Sequence, residues 1–172
     1  MPICNLSDLK ALIKPGQCLL GIDPGSTVIG IAIADPYHTV ASPLVSLARR
    51  KFKDDAGTIA RIMKDRNVGA IIMGLPKNMD GTEGPSAQSA RTFASNLIRQ
   101  GNLPIENVPI VLWDERMSTA AVERFMISDD MSRKRREEII DKTAAAYILQ
   151  GALDALKFIT REPEVSQKEP ED

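Results

Sequence analysis

The chain has few aromatic, cysteine and histidine residues, and these shortages exclude several kinds of site. Aromatic residues make up 4% of its 172 residues, so a surface that binds nucleic acid by stacking bases on aromatic rings is not expected. The two cysteines, Cys4 and Cys18, are too few for a disulfide framework and lack the spacing of a metal site. His38 is the only histidine and lies in a predicted turn, which makes a histidine-based mechanism unattractive.

The chain also lacks a long apolar run and an excess of charge. No segment is apolar for long enough to span a membrane, and the first ten residues do not resemble a signal peptide, so we expect a cytoplasmic protein with no membrane contact. The formal net charge of -1 predicts no overall attraction to nucleic acid. Local basic clusters at residues 49–53 and 133–136 could follow a phosphate backbone, although a solvated charged face explains them equally well.

What is present is the composition of an ordinary globular domain, with 43% hydrophobic and 26% charged residues. We predict one domain over residues 1–160, with a helical extension at 1–15 and a disordered charged tail at 161–172. Apolar runs predict strands at about 18–23, 28–34, 39–47, 69–76 and 109–115. Periodic apolar positions predict helices at about 55–66, 86–100 and 133–158. Strands joined by tight turns and followed by alternating helices and strands indicate an α/β sheet with an antiparallel start.

The run LLGIDPGSTVIGIAIAD at residues 19–35 puts a carboxylate at the end of the first of these strands. Pro24 disfavours a helical conformation at Asp23, and we expect Gly25 to adopt a positive φ in a type II turn. An acid at this position is presented at the edge of a sheet, where it could serve as a functional group. Asp-Pro-Gly is also ordinary turn chemistry, so a purely structural turn is the alternative.

Further acids occupy similar positions. Asp114 and Glu115 end the strand within PIVLWDE, and because neighbouring strand residues face opposite ways only one of the two can point into a site. Asp141 shares a helical face with small apolar residues, although it could instead pair with a nearby basic residue at the rim. Several carboxylates at sheet ends suit Mg²⁺ or Mn²⁺, and such ions support phosphodiester cleavage.

Polar residues next to these acids favour a phosphate-containing substrate. The candidates for binding it are Lys77, Asn78, Gly81, Arg116, Ser118 and Thr119. The first three lie in a polar, glycine-containing loop after a buried strand, and the others follow Glu115 directly, where a helix N-terminus would offer N–H groups to an anion. Taken one by one, they could be no more than turn and cap residues.

Four segments in order resemble the YqgF/RuvX family, which is related to RuvC-type Holliday junction resolvases and has the ribonuclease H-like fold. They are GIDPGSTVIGIAIAD, IIMGLPKNMDGTEGPSAQSARTFASNL, WDERMSTAAVE and IIDKTAAAYILQGALD, and the resemblance extends over about residues 16–156. It implies a five-stranded mixed sheet of strand order 3-2-1-4-5 with helices on both faces. It also implies a metal-dependent nuclease that processes the 5′ end of pre-16S ribosomal RNA.

The resemblance assigns the three acids. Asp23 matches the acid of the first strand, Glu115 lies in the D-E-R motif, and Asp141 matches the acid of the last helix. RuvC-type enzymes carry an acid at the end of the fourth strand, where this chain has Gly74-Leu75-Pro76. The metal site is therefore expected to draw on Glu115 from the neighbouring strand.

We therefore expect an endonuclease that uses Mg²⁺ or Mn²⁺, held by Asp23, Glu115 and Asp141 as metal-binding and catalytic residues. Its expected partners are pre-ribosomal RNA and pre-30S ribosomal particles, and we expect a monomer or a homodimer. A resolvase of four-way DNA and a non-catalytic module that binds nucleic acid or ribosomes are the alternatives. The segment GIDPGST also resembles the phosphate loop of actin-like kinases, but those proteins need two related domains and this chain supplies one.

Overall fold

A computed structural model describes residues 3–117 and 133–159, which form a mixed β-sheet flanked by helices. The strands are β1 (Ile3–Cys4), β2 (Cys18–Pro24), β3 (Val28–Ala34), β4 (Ala41–Ala48), β5 (Val68–Leu75) and β6 (Ile110–Asp114). The helices are α1 (Leu9–Leu12), α2 (Phe52–Asp65), α3 (Pro85–Gln100) and α4 (Arg133–Ile159), with 3₁₀ turns at Leu6–Asp8 and Glu115–Met117. The predicted tail at 161–172 lies outside the described residues. No helix of the described ranges has the length and apolar character needed to cross a membrane.

The sheet has the strand order β1-β6-β5-β2-β3-β4. Strands β2, β5, β6 and β1 run parallel to one another, and β3 and β4 form an antiparallel meander with β2. The five predicted strands therefore occur in the order expected for a ribonuclease H-like fold. The sheet has one strand more than predicted, because β1 adds two residues at the edge beside β6. A two-residue strand is too short to show the alternation from which strands are predicted.

The central strand β5 is buried along all eight residues, since helices cover both faces of the sheet. Ile71 and Met73 pack on the side of α2 and α3, in a cluster that also contains Phe93. Ala70 and Ile72 face the other side and pack against α4. This three-layer arrangement fixes the ends of β2, β5 and β6 relative to one another, and the candidate site lies there.

Helix α4 packs unusually close to β2, because Gly21 has no side chain. A Cβ atom at Gly21 would lie 2.9 Å from the carbonyl oxygen of Ala145 and 2.9 Å from Cβ of Leu149. Ala145 and Leu149 are fully buried. The small residues of α4 that sequence analysis placed on one helical face therefore meet the sheet directly.

The direction of α4 is shown by its contacts at the two ends of the sheet. Lys142 lines a groove with Val28 and Ala48, which lie at the end of the sheet where β2 finishes. The Gln150 side chain instead accepts a hydrogen bond of 2.9 Å from the backbone N–H of Ala41 at the opposite end. The N-terminal part of α4 thus lies at the same end of the sheet as Asp23.

Candidate active site

Asp23 and Glu115 meet at one end of the sheet although β5 lies between their strands. In the strand register Met73 is opposite Ile22, so the next residue, Gly74, lies beside Asp23 and opposite Trp113. The Glu115 side chain crosses the space above Gly74, where a methyl group would collide with its Oε1 atom. Because Gly74 has no side chain, the carboxyl group of Glu115 reaches Asp23 and forms a hydrogen bond with it.

The two carboxyl groups influence each other's protonation. Burial raises the pKa of Asp23, and its hydrogen bond with Glu115 opposes that effect. Burial, together with the charge and the hydrogen bond of Asp23, raises the pKa of Glu115 to about 8. Both shifts favour a protonated state of the pair in the absence of a cation.

These acids open onto a cleft of about 360 Å³. Its lining includes the turn after β2, Pro76 after β5, and the first two turns of α3 with Ser86 and Ser89. Pro85 occupies the first turn of this 16-residue helix, so the helix N-terminus faces the cleft and favours negative charge there. Ser86 and Ser89 were not among the predicted site residues, although the Gly84-Pro85 step before a helical pattern signals a helix start.

The turn that carries Asp23 is tighter than predicted. The N–H of Gly25 donates a 3.0 Å hydrogen bond to the carbonyl oxygen of Asp23, which is the i to i+2 pattern of a γ-turn. The expectation of a positive φ at Gly25 is wrong, because Gly16 and Gly81 are the described glycines with positive φ. Glycine is required for a different reason, since a side chain at this position would collide with the carbonyl oxygen of Val28.

Asp114 has a role separate from that of the acid pair. Its carboxylate accepts hydrogen bonds from Arg116, at 2.9 Å from Nε, 2.6 Å from Nη2 and 3.0 Å from the backbone N–H. Arg116 lowers the pKa of Asp114, and Lys77 contributes a smaller effect in the same direction. Of the two neighbouring acids, Glu115 therefore joins Asp23, and Asp114 holds Arg116 in place.

The loop after β5 forms an ordered hairpin at the rim of the cleft. The N–H of Asn78 bonds to the carbonyl of Thr82, and the N–H of Gly81 bonds to the carbonyl of Asn78, each at 2.9 Å. Gly81 has a φ of 87°, and a Cβ atom there would lie 3.3 Å from Nη1 of Arg116. Lys77, Asn78, Gly81 and Arg116, all predicted as substrate-binding residues, thus lie together along one rim.

The remaining predicted site residues are placed only in part. Ser118 and Thr119 lie outside the described residues. Asp141 is placed by its backbone in α4, one helical turn before Ala145, at the end of the sheet where Asp23 lies. Among the side chains that the structure describes, no group of three carboxylate, histidine or cysteine side chains forms a metal-binding cluster.

Residues 17–155 match the family model of RuvX, described as a Holliday junction resolvase. The chain belongs to the RuvX family. A protein of Rhodospirillum centenum named "Putative pre-16S rRNA nuclease" is 53% identical over 157 residues, which are 91% of this chain and 84% of the relative. A protein of the same name in Rhodospirillum rubrum is 46% identical and is covered over 94% of its length.

The fold is similar to that of a solved resolvase. Thermus thermophilus RuvC, solved in complex with a Holliday junction substrate, superimposes with a TM-score of 0.51 at 12% identity. The match covers 83% of this chain and 96% of the RuvC chain. At that identity the likeness shows a shared RuvC-like fold, and the chemistry of this RuvX protein has to be argued from its own residues.

Proposed function

We propose that this RuvX protein is a divalent-metal-dependent endonuclease that matures the 5′ end of pre-16S ribosomal RNA. The observation that carries the proposal is the pair formed by Asp23 and Glu115, two hydrogen-bonded carboxyl groups that line one cleft. A structural turn would not require a second acid to cross Gly74 and reach Asp23. The proposal implies a cytoplasmic location, because bacterial ribosomes are assembled there.

The residues present fit a hard divalent cation. Two carboxyl groups in contact supply oxygen ligands, which are the ligands that Mg²⁺ and Mn²⁺ prefer. Their raised pKa values show that the pair is unfavourable as two bare negative charges, and a cation in place of a proton would relieve this repulsion. Asp141, one helical turn before the buried Ala145 in α4, is the proposed third ligand.

When bound, such a cation supplies Lewis acidity and lowers the pKa of a water molecule for attack on a phosphodiester. The chain itself binds and orients the substrate. We assign contacts with the phosphate backbone of the substrate to residues of the hairpin and to residues that follow Glu115 in the chain. Those of the hairpin are Lys77, Asn78 and Gly81, and those after Glu115 are Arg116, Ser118 and Thr119. The α3 N-terminus, which also lines the cleft, favours a phosphate there.

Pre-16S RNA is the proposed substrate because relatives that share about half of their residues with this chain carry that name. Pre-30S particles are then the proposed larger partner, bound by a monomer or a homodimer. The second candidate substrate is a four-way DNA junction, which the description of the RuvX family favours.

A paired cleavage assay tests the proposal. Wild type, Asp23→Asn and Asp65→Asn are incubated with a 5′-extended pre-16S RNA and with a four-way DNA junction, in Mn²⁺ or in chelator. Asp65→Asn is a matched control, because Asp65 is an exposed carboxylate at the far end of α2. We expect Mn²⁺-dependent RNA cleavage by wild type and Asp65→Asn, and at least a 100-fold loss in Asp23→Asn with its fold retained.

Three other outcomes would contradict the proposal in different ways. Cleavage of the junction alone would assign the protein to recombination. Absence of cleavage of both substrates by folded wild-type protein, with RNA binding retained, would favour a non-catalytic module. Cleavage that persists in chelator would overturn the role given to the carboxyl pair.

A further inference from the structure

Arg49, the residue after β4, is packed against the turn that carries Asp23. Its Nη1 atom donates a 2.7 Å hydrogen bond to the carbonyl oxygen of Gly25, and its backbone N–H donates a 2.8 Å bond to the carbonyl of Thr27. Its guanidinium lies over the ring of Phe93, with Cζ 5.0 Å from the ring centroid. The side chain therefore connects the β2–β3 turn to α3.

Phe93 is itself firmly held. Phe93 is 3% exposed, and its ring makes a T-shaped contact with that of Phe52 at a centroid distance of 5.9 Å and an interplanar angle of 83°. Phe52 begins α2, so the start of α2 and the guanidinium at the end of β4 both pack against one ring in the middle of α3. The buried Phe93 ring therefore fixes the position of the Arg49 guanidinium and also stabilises its charge.

These contacts distinguish Arg49 from the basic cluster in which it occurs. The cluster at residues 49–53 could follow a phosphate backbone if its charges were free at the surface. Arg49 is half-buried, whereas its neighbour Arg50 is exposed. Within residues 3–116 and 142–159, Arg49 forms no ion pair, and its donors and charge are directed to a carbonyl and a ring.

We propose that Arg49 is a positioning residue for the Asp23 carboxyl group, acting through the carbonyl of Gly25. Residues 25–27 lie between β2 and β3, outside both strands, and receive two hydrogen bonds from Arg49, one from its side chain to Gly25 and one from its backbone to Thr27. The Arg49 bond anchors this turn to the core formed by Phe52 and Phe93, which keeps Asp23 beside Glu115. The inference rests on the proposed function, because it assumes that the position of Asp23 determines the rate of cleavage.

The first test measures the turn directly and needs no activity. Backbone amide hydrogen exchange is compared in wild type, Arg49→Ala, Arg49→Lys and Arg50→Ala. We expect the Gly25 amide, which bonds to the carbonyl of Asp23, to exchange at least 10-fold faster in Arg49→Ala. Arg49→Lys keeps one donor and the charge over the ring and should restore part of the protection.

The second test separates positioning from phosphate binding. We expect Arg49→Ala to lower kcat by about 10- to 100-fold, the loss that a small displacement of a reacting group causes. The Kd for RNA and its salt dependence should stay as in wild type. A phosphate contact would instead weaken binding and reduce the slope of log K against log salt by about 0.7 to 0.9. Arg50→Ala removes the same charge one residue away and should keep the wild-type kcat.

These measurements distinguish failure of the Arg49 anchor from failure of the proposed nuclease function. Unchanged Gly25 exchange in Arg49→Ala would overturn the positioning role whether or not the protein cleaves RNA. Faster Gly25 exchange with wild-type kcat, in a protein whose Asp23→Asn variant is inactive, would show that the anchor does not serve catalysis. An inactive wild type with faster Gly25 exchange in Arg49→Ala would overturn the proposed function and the catalytic part of this inference, leaving the anchor of the turn in place.

Discussion

Gly74 determines where the carboxyl group of Glu115 can lie. Its position in β5, between Asp23 and Trp113, provides the space that the Glu115 side chain occupies. The end of β5 therefore supplies no acid of its own, and the neighbouring strand supplies one across it. In this chain one missing side chain brings two carboxyl groups from different strands together.

Replacement Gly74→Ala should displace Glu115 without unfolding the protein. The added methyl group would collide with Oε1 of Glu115 and lie 2.6 Å from Cδ1 of Ile148. We expect cleavage to fall about 100-fold, because a reacting group is misplaced. The free energy of unfolding should fall by about 1–3 kcal/mol from overpacking. Both are measured by RNA cleavage and urea unfolding.

Gly57→Ala is the matched control for that change. Gly57 lies inside α2, and nothing lies within 4 Å of the position of its Cβ atom. Alanine there should raise the free energy of unfolding by about 0.5–1 kcal/mol and leave cleavage unchanged. Wild-type activity in folded Gly74→Ala would contradict the role given to the space above Gly74.

At the residue scale the candidate acids were predictable, and the contact between them was not. Asp23 and Glu115 each follow a strong apolar run, which places an acid at a strand end. Their hydrogen bond depends on strand order, on register and on the absence of a side chain at Gly74. These are properties of three strands together, so no local pattern contains them. For the same reason Arg49 looked like part of a basic surface cluster.

At the scale of elements, the hairpin after β5 combines four predicted binding residues into one rim. The sequence KNMDGTEG predicts only a polar loop, since its turn residues fit several turn types. The structure selects one of them through the positive φ of Gly81 and the bonds between Asn78 and Thr82. Arg116, held by Asp114, packs on the hairpin beside Gly81. This rim is therefore preorganised for a substrate backbone.

Replacement Gly81→Ala should weaken substrate binding more than catalysis. A side chain at a φ of 87° is strained, and its Cβ atom would lie 3.3 Å from Nη1 of Arg116. We expect KM for RNA to rise about 10-fold, equivalent to 1.4 kcal/mol, with a smaller change in kcat. The free energy of unfolding should fall by about 1–2 kcal/mol.

Gly16→Ala provides the comparison, because Gly16 has a φ of 85° and nothing lies within 4 Å of its Cβ position. It precedes β2, at the end of the sheet away from the cleft. The same backbone strain there should reduce stability and leave KM unchanged. If both variants raised KM equally, the effect at Gly81 would be one of stability alone.

At the scale of the whole molecule, the acid pair links stability to pH. Burial and the neighbouring charge of Asp23 raise the pKa of Glu115 from 4.5 to about 8 on folding. The folded protein then binds a proton that the unfolded chain has released. The contribution of this proton to the free energy of unfolding is complete below pH 4.5 and is lost as the pH rises to about 8. Across this window the Glu115 titration lowers the free energy of unfolding by at most about 1.4 kcal/mol per pH unit.

Glu115→Gln removes this titration, so its stability should vary less between pH 5 and 8 than that of wild type. In wild type, Mn²⁺ should reverse the loss at pH 8, because the cation replaces the proton and binds the folded state. At 100 times its Kd a ligand adds about 2.7 kcal/mol. Urea unfolding of both proteins, in chelator and in Mn²⁺, measures each effect. Equal pH slopes in chelator would show that Glu115 does not hold the proton. Equal stabilisation of both proteins by Mn²⁺ would show that the cation binds elsewhere.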